Sequence, residues 1–130
     1  MPRPPSRQPT EGELAVLNVL WRLGPSELGA IRGALSEARP VAATTVATML
    51  GVMREKGLVA RADGPRGYLW SAAVSQEATR TTLLDRLVDA AFDGSASRLV
   101  AHLVAAGELS DAERESIRKL LDARRPKRAT

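Results

Sequence analysis

A mainly α fold with one small β-hairpin is predicted for this chain by three observations. Apolar residues recur at helical spacing in six separate stretches. One stretch alone, from Leu58 to Trp70, reads as extended chain on either side of a Gly/Pro turn. Glycine or proline stands where most of the helical runs stop. Three helices followed by a hairpin over residues 10–73 outline a winged helix-turn-helix domain. The three later helices, over residues 74–124, are expected to form a C-terminal helical dimerisation region.

Residues 1–9 carry four prolines and two arginines, Arg3 and Arg7, a composition that disfavours helix and cannot build a core. They read as a flexible basic arm. Thr10 followed by Glu13 is a capping-box signature, and Leu14, Leu17, Leu20 and Trp21 continue at helical spacing until Gly24 and Pro25 end the run. The first helix therefore spans Glu11 to Leu23. Ser26 is placed to cap a second helix with Leu28, Ile31 and Leu35 as its buried stripe, closing before Pro40. A third helix runs from Ala43 to Lys56 with a weak amino-terminal cap, since Ala42 or Ala43 stands there, and with Gly57 at its carboxyl end. Leu58 and Val59 begin a strand, Asp63 to Gly67 has turn chemistry throughout, and Tyr68, Leu69 and Trp70 return.

On the third helix, Thr45, Thr48 and Val52 share one face, while Val46, Met49, Leu50 and Met53 cluster about a third of a turn away. The larger apolar group is expected inside, which leaves the threonines outside. Small hydroxyl and methyl groups suit the major groove, where threonine bonds base edges or phosphates and its methyl meets thymine. An ordinary amphipathic helix with a small polar exposed side would look the same. Trp21 and Tyr68 are expected as core and wing-packing residues, and Trp70 is expected to pack on the first helix or the C-terminal region.

Past Ser75 the pattern is helical only. Leu84, Leu87, Val88 and Ala91, with Phe92 beside them, make one stripe that stops at Gly94. Leu99, Val100, Leu103 and Val104 make a second, up to Gly107. Ser110 and Glu113 open a third as a capping box, before Ile117, Leu120 and Leu121. A unit this small buries too little surface alone, so pairing with a second copy is expected to cover Leu84, Leu87, Val88, Phe92, Leu99, Val100, Leu103, Ile117, Leu120 and Leu121. The alternative is that these helices fold back on the amino-terminal domain in a monomer.

The whole chain has 130 residues, 44% apolar and 26% charged, consistent with one globular domain or a small domain plus an oligomerising region. It has no cysteine, which excludes disulfides, thiolate metal sites and a cysteine nucleophile. Its one histidine, His102, leaves little machinery for a hydrolase, and no cofactor or metal site is indicated. No apolar run approaches a membrane span and the amino-terminal stretch lacks a secretory segment, so a cytoplasmic protein without membrane insertion is expected. The net charge of +4 is uneven: residues 1–70 hold 9 basic against 6 acidic side chains, and residues 71–130 hold 10 against 9. Four of those ten lie at the carboxyl end, Arg124 and then Arg125, Lys127 and Arg128 in residues 125–130, which read as a basic tail. The amino-terminal half is thus the better face for a polyanion.

Taken in order, TEGELAVLNVLW, AIRGAL, TTVATML followed by EKGLV, and RGYLWSAAVS resemble the penicillinase repressors, the BlaI/MecI/CopY group of bacterial regulators, from Thr10 to Ala123. The resemblance implies a homodimeric winged-helix repressor of transcription on a palindromic double-stranded operator, joined through its C-terminal helices. In antibiotic-resistance members it implies a membrane-bound sensor metalloprotease system whose signal ends in repressor cleavage. The family cleavage position is often an Asn-Phe pair, and His102-Leu103 stands in that place here. The copper-sensing cysteine motif of other members does not exist in this chain. A basic residue often follows the TTVxTML motif in the family, whereas this chain has Gly51 and Val52.

The mechanism expected from these readings places Thr44, Thr45 and Thr48 towards bases and phosphates, Arg61 and Arg66 of the hairpin on adjacent backbone, and Arg32 of the second helix on phosphate. Arg54, Lys56, the wing arginines Arg61 and Arg66, and the arm at Arg3 and Arg7 are candidates to replace the missing cation. The main rival is a winged-helix protein-interaction module without sequence-specific DNA binding. A small hydrolase relying on His102 is a weaker one.

Overall fold

The structure is a computed structural model that describes Gln8 to Arg124. Nearly all of the basic arm, with Arg3 and Arg7, and the tail with Arg125, Lys127 and Arg128 lie outside the described residues. Helix α1 spans Glu11–Leu23. The Thr10 hydroxyl accepts from the Glu13 N–H and the Glu13 carboxylate accepts from the Thr10 N–H, so the capping box forms as its residues require. Strand β1 is the short Ser26–Glu27, α2 is Leu28–Ser36 and α3 is Ala43–Lys56.

The expected cap of α2 is corrected. Ser26 belongs to β1, its hydroxyl donates to the Gly24 carbonyl, and the residue at the cap is Glu27 with no side-chain hydrogen bond. The chain leaves the Gly24-Pro25 turn extended, and its backbone pairs with another strand before it can coil. Helix α3 is preceded by Ala42, which gives no side-chain cap, and is stopped by Gly57, whose φ of 81° is the left-handed conformation that glycine adopts without strain.

Strands β2 (Val59–Gly64) and β3 (Gly67–Ala72) form the wing. The sheet has order β1-β3-β2, antiparallel throughout, with Ser26 opposite Trp70 and Arg61 opposite Trp70 from the other side. The hairpin predicted from sequence is therefore two of three strands. The Gly64 and Gly67 pair closes the wing so tightly that a Cβ at Gly64 would stand 2.9 Å from the Gly67 carbonyl oxygen.

The core of this unit gathers Val16, Leu17 and Leu20 of α1, Ile31 of α2, Val46, Leu50 and Met53 of α3, and Val59 and Trp70 of the sheet. Trp70 is thus a core residue of the winged domain. Trp21 is half-buried, and its indole N–H donates to the Val74 carbonyl at 3.0 Å. That bond fixes the chain leaving β3 to α1, and the compact unit continues to Leu83. The division between units thus falls inside α4 (Gln76–Ala91), beyond the residue 73 expected from sequence.

The second unit starts at Leu84 and contains the rest of α4, then α5 (Ala96–Ala105) and α6 (Asp111–Ala123). Ser110 and Glu113 form their capping box. Asp93 and Gly94 both have positive φ and turn the chain sharply between α4 and α5. No helix of the described residues is long and apolar enough to cross a membrane.

Candidate nucleic-acid interface

Helix α3 is held by one face and leaves the other open. Val46, Leu50 and Met53 are fully buried, while Thr44, Thr45, Thr48 and Val52 are exposed, and Ala47 and Gly51 beside them add little bulk. The split follows from burial of the large side chains in the core shared with α1 and α2, which orients the helix about its own axis. Since no side chain caps its first turn, the amino end of α3 carries the partial positive charge of unpaired N–H groups next to Thr44 and Thr45.

The basic residues sort into two groups. Arg32, Arg54, Arg61 and Arg66 are all exposed. Arg32 donates its Nε–H to the Val41 carbonyl at 3.0 Å, which pins the α2–α3 connection and leaves the terminal donors of its guanidinium for other work. Arg61 lies over the Tyr68 ring at 3.9 Å, and Tyr68 meets Trp70 edge-on at 5.9 Å, so the wing carries its cation on an aromatic ledge. Arg66, at the wing tip, is 3.4 Å from the Glu27 carboxylate and remains mostly in solvent.

Lys56 leaves the set of candidate DNA contacts. Its ammonium donates to Glu13 Oε1 at 2.8 Å with the two side chains only 10% and 8% exposed, so its charge is spent inside the domain. Burial is the largest influence on Glu13 and works against its ionisation. Lys56 and the Thr10 N–H outweigh it, and the carboxyl is held below its ordinary range. The pair was missed in sequence because its members are far apart in the chain and meet only when α1 packs near the end of α3.

Glu55 was missed as well. It is exposed, three residues after Val52 and seven after Thr48, which places a negative charge on the open face of α3. With Lys56 turned inward, Arg54 and Glu55 cancel, and the exposed part of this helix is close to neutral. A groove of about 400 Å³ separates α3 from the wing, bounded by Ala47 and Gly51 on one side and by Arg61, Arg66 and Tyr68 on the other.

In the second unit, Leu84, Leu87, Val100, Leu120 and Leu121 are exposed, whereas Phe92, Leu99, Leu103 and Ile117 are half-buried. Val88 is buried within this unit, and beside it the Gly94 N–H donates to the Val88 carbonyl. Val104, Leu109 and Ile117 line an open trough of about 500 Å³ with Val100 and Leu121. His102 and Leu103 lie inside α5, and the His102 ring meets Phe92 edge-on at 5.7 Å.

A family model described as penicillinase repressor matches residues 9–123. No curated protein matches the chain by sequence. Among solved structures, wild-type MarR from E. coli in its apo form has a TM-score of 0.52 at 21% identity, covering 91% of this chain and 79% of that one. The transcriptional regulator Tm0710 from Thermotoga maritima has a TM-score of 0.52 at 18% identity, covering 88% of this chain and 72% of that one. At such identities the likeness shows the winged-helix fold alone.

Proposed function

The chain belongs to the penicillinase repressor family of winged-helix DNA-binding regulators, and on that premise we propose that it represses transcription as a homodimer on a palindromic operator. The observation that carries this reading is the exposure of Thr44, Thr45 and Thr48 on a helix whose opposite face is fully buried. Helix α3 enters the major groove, its uncapped amino end and the three threonines meeting phosphates and base edges. Arg61 and Arg66 reach the backbone from the wing, with Arg32 and Arg54 on neighbouring phosphates. The exposed leucines of α4 and α6 and the valines of α5 join two copies, which sets half-sites about one helical turn apart. Binding there blocks access to a promoter, and no catalytic step is required.

Release by a sensor metalloprotease system is the route in antibiotic-resistance members of the family. In this chain the matching bond, His102-Leu103, is helical, so cleavage requires α5 to unwind first. The near-neutral exposed surface of α3 favours one competing reading, a winged-helix module that binds protein instead of DNA.

Anisotropy titration of the full chain against duplexes from its own upstream region, over a range of salt, separates the two. With roughly four phosphates neutralised per subunit, a dimer gives a log-log salt slope near about −7. A slope near zero favours the protein-interaction module.

A further inference from the structure

Val52 is 43% exposed and is, among the described residues, the only large apolar side chain on the open face of α3. A single exposed valine on a surface needs no explanation. This one lies in line with Thr45 and Thr48, seven and four residues before it, on the helix face turned away from the core. Next to it, Gly51 opens onto free space, since a Cβ there would meet nothing within 4 Å. Ala47 and Gly51 therefore let the helix backbone come close to whatever lies opposite, and Val52 then stands forward as the projecting group.

In the major groove the apolar feature of a base edge is the C5-methyl of thymine; the other groups there are donors and acceptors that valine cannot satisfy. Val52 cannot neutralise a phosphate either. Placed over a polar base edge it would leave that edge desolvated without a partner, which is unfavourable. We infer that Val52 is a specificity-determining residue that reads a thymine methyl in each half-site, with the Thr48 methyl beside it. The inference rests on the reading of α3 as the helix that enters the groove. In place of a charge that holds any sequence, this chain has an apolar contact that holds one base.

The test starts from duplexes selected out of a random library by the full-length chain. Each thymine of the selected site is then replaced singly by deoxyuridine, which removes only the methyl group. For the unaltered protein, one thymine per half-site is expected to show a loss of about fourfold, the transfer of one methyl-sized group from water. Val52→Ala should abolish that sensitivity while leaving the other thymines as they were. Alanine is the better helix former, so misfolding does not account for the change. Val52→Arg should bind all sequences more tightly, with a salt slope steeper by about 0.9 per subunit, and should ignore the same replacement. If Val52→Ala remains as sensitive to deoxyuridine as the unaltered chain, or no thymine responds, the inference is overturned while DNA binding stands. If no duplex is enriched and no salt-dependent complex forms, the underlying reading of α3 falls with it.

Discussion

Lys56 Nζ donates to Glu13 Oε1 at 2.8 Å, and this contact fastens the last turn of α3 to the first turn of α1. Glu13 is also the acceptor that closes the cap of α1 through the Thr10 N–H. One carboxylate thus fixes both the start of the first helix and the end of the helix proposed to read DNA. Its loss would be felt in stability and in the angle at which α3 is presented.

Replacing Lys56 with methionine should destabilise the winged domain by about 3 kcal/mol, because a nearly buried carboxylate loses its counter-ion. Denaturant melts at neutral pH measure this. A change within a few tenths of a kcal/mol would show that water reaches Glu13 freely.

The same carboxyl predicts a pH dependence. Its folded pKa lies below the ordinary value of 4.5, so the stability it contributes is present above that value and disappears as pH falls through the folded pKa. Urea midpoints measured from pH 6 down to pH 3 should fall less steeply for Glu13→Gln than for the unaltered chain. Parallel curves would assign the acid sensitivity to other carboxylates.

Thr45→Ala and Thr48→Ala should each weaken the selected site by ~1–3 kcal/mol and random DNA by less. Competition anisotropy with both duplexes gives the two losses. Equal losses would make these hydroxyls phosphate contacts that position α3 without reading sequence.

Gly51→Lys adds a cation where the face is bare, at a position where a Cβ would meet nothing within 4 Å. It should tighten binding to any duplex at low salt and steepen the log-log slope by about 0.9 per subunit. An unchanged slope would mean that this part of α3 stays away from the phosphates.

Leu120 and Leu121 are 62% and 69% exposed on α6. Leu121→Glu, or the double change with Leu120→Glu, should shift sedimentation from dimer to monomer and weaken operator binding, while the Trp21 and Trp70 fluorescence of the winged unit stays native. A dimer that persists would move the contact to other surfaces.

Much of the fold is legible in the order of the amino acids. The bounds of α1 and α3 follow from signals held within a few residues: the Thr10 and Glu13 box, the Gly57 stop, and the split of apolar and hydroxyl side chains round α3. These are local because capping, glycine conformation and helical periodicity act over one or two turns. Ser26 shows where such reasoning fails. Its residue type suits a cap, but a backbone pairing with Trp70 from far along the chain decided its conformation.

The candidate interface divides in the same way. Its hydroxyl face on α3 was legible, and so were the cations of the wing as residue types. Which cations are presented was not. Lys56 looks in sequence like any charge at a helix end, and only the approach of α1 turns it inward; Arg61 is placed by the cross-strand pairing that puts Tyr68 and Trp70 beneath it. By itself, then, the amino-acid order determined the helices, the wing and the family, since each depends on neighbours in the chain. Tertiary structure alone decided the third strand, the burial of Val88, and the near-neutral open surface of α3. These depend on which distant groups meet, and a charge paired out of water is lost to the surface whatever its place in the sequence.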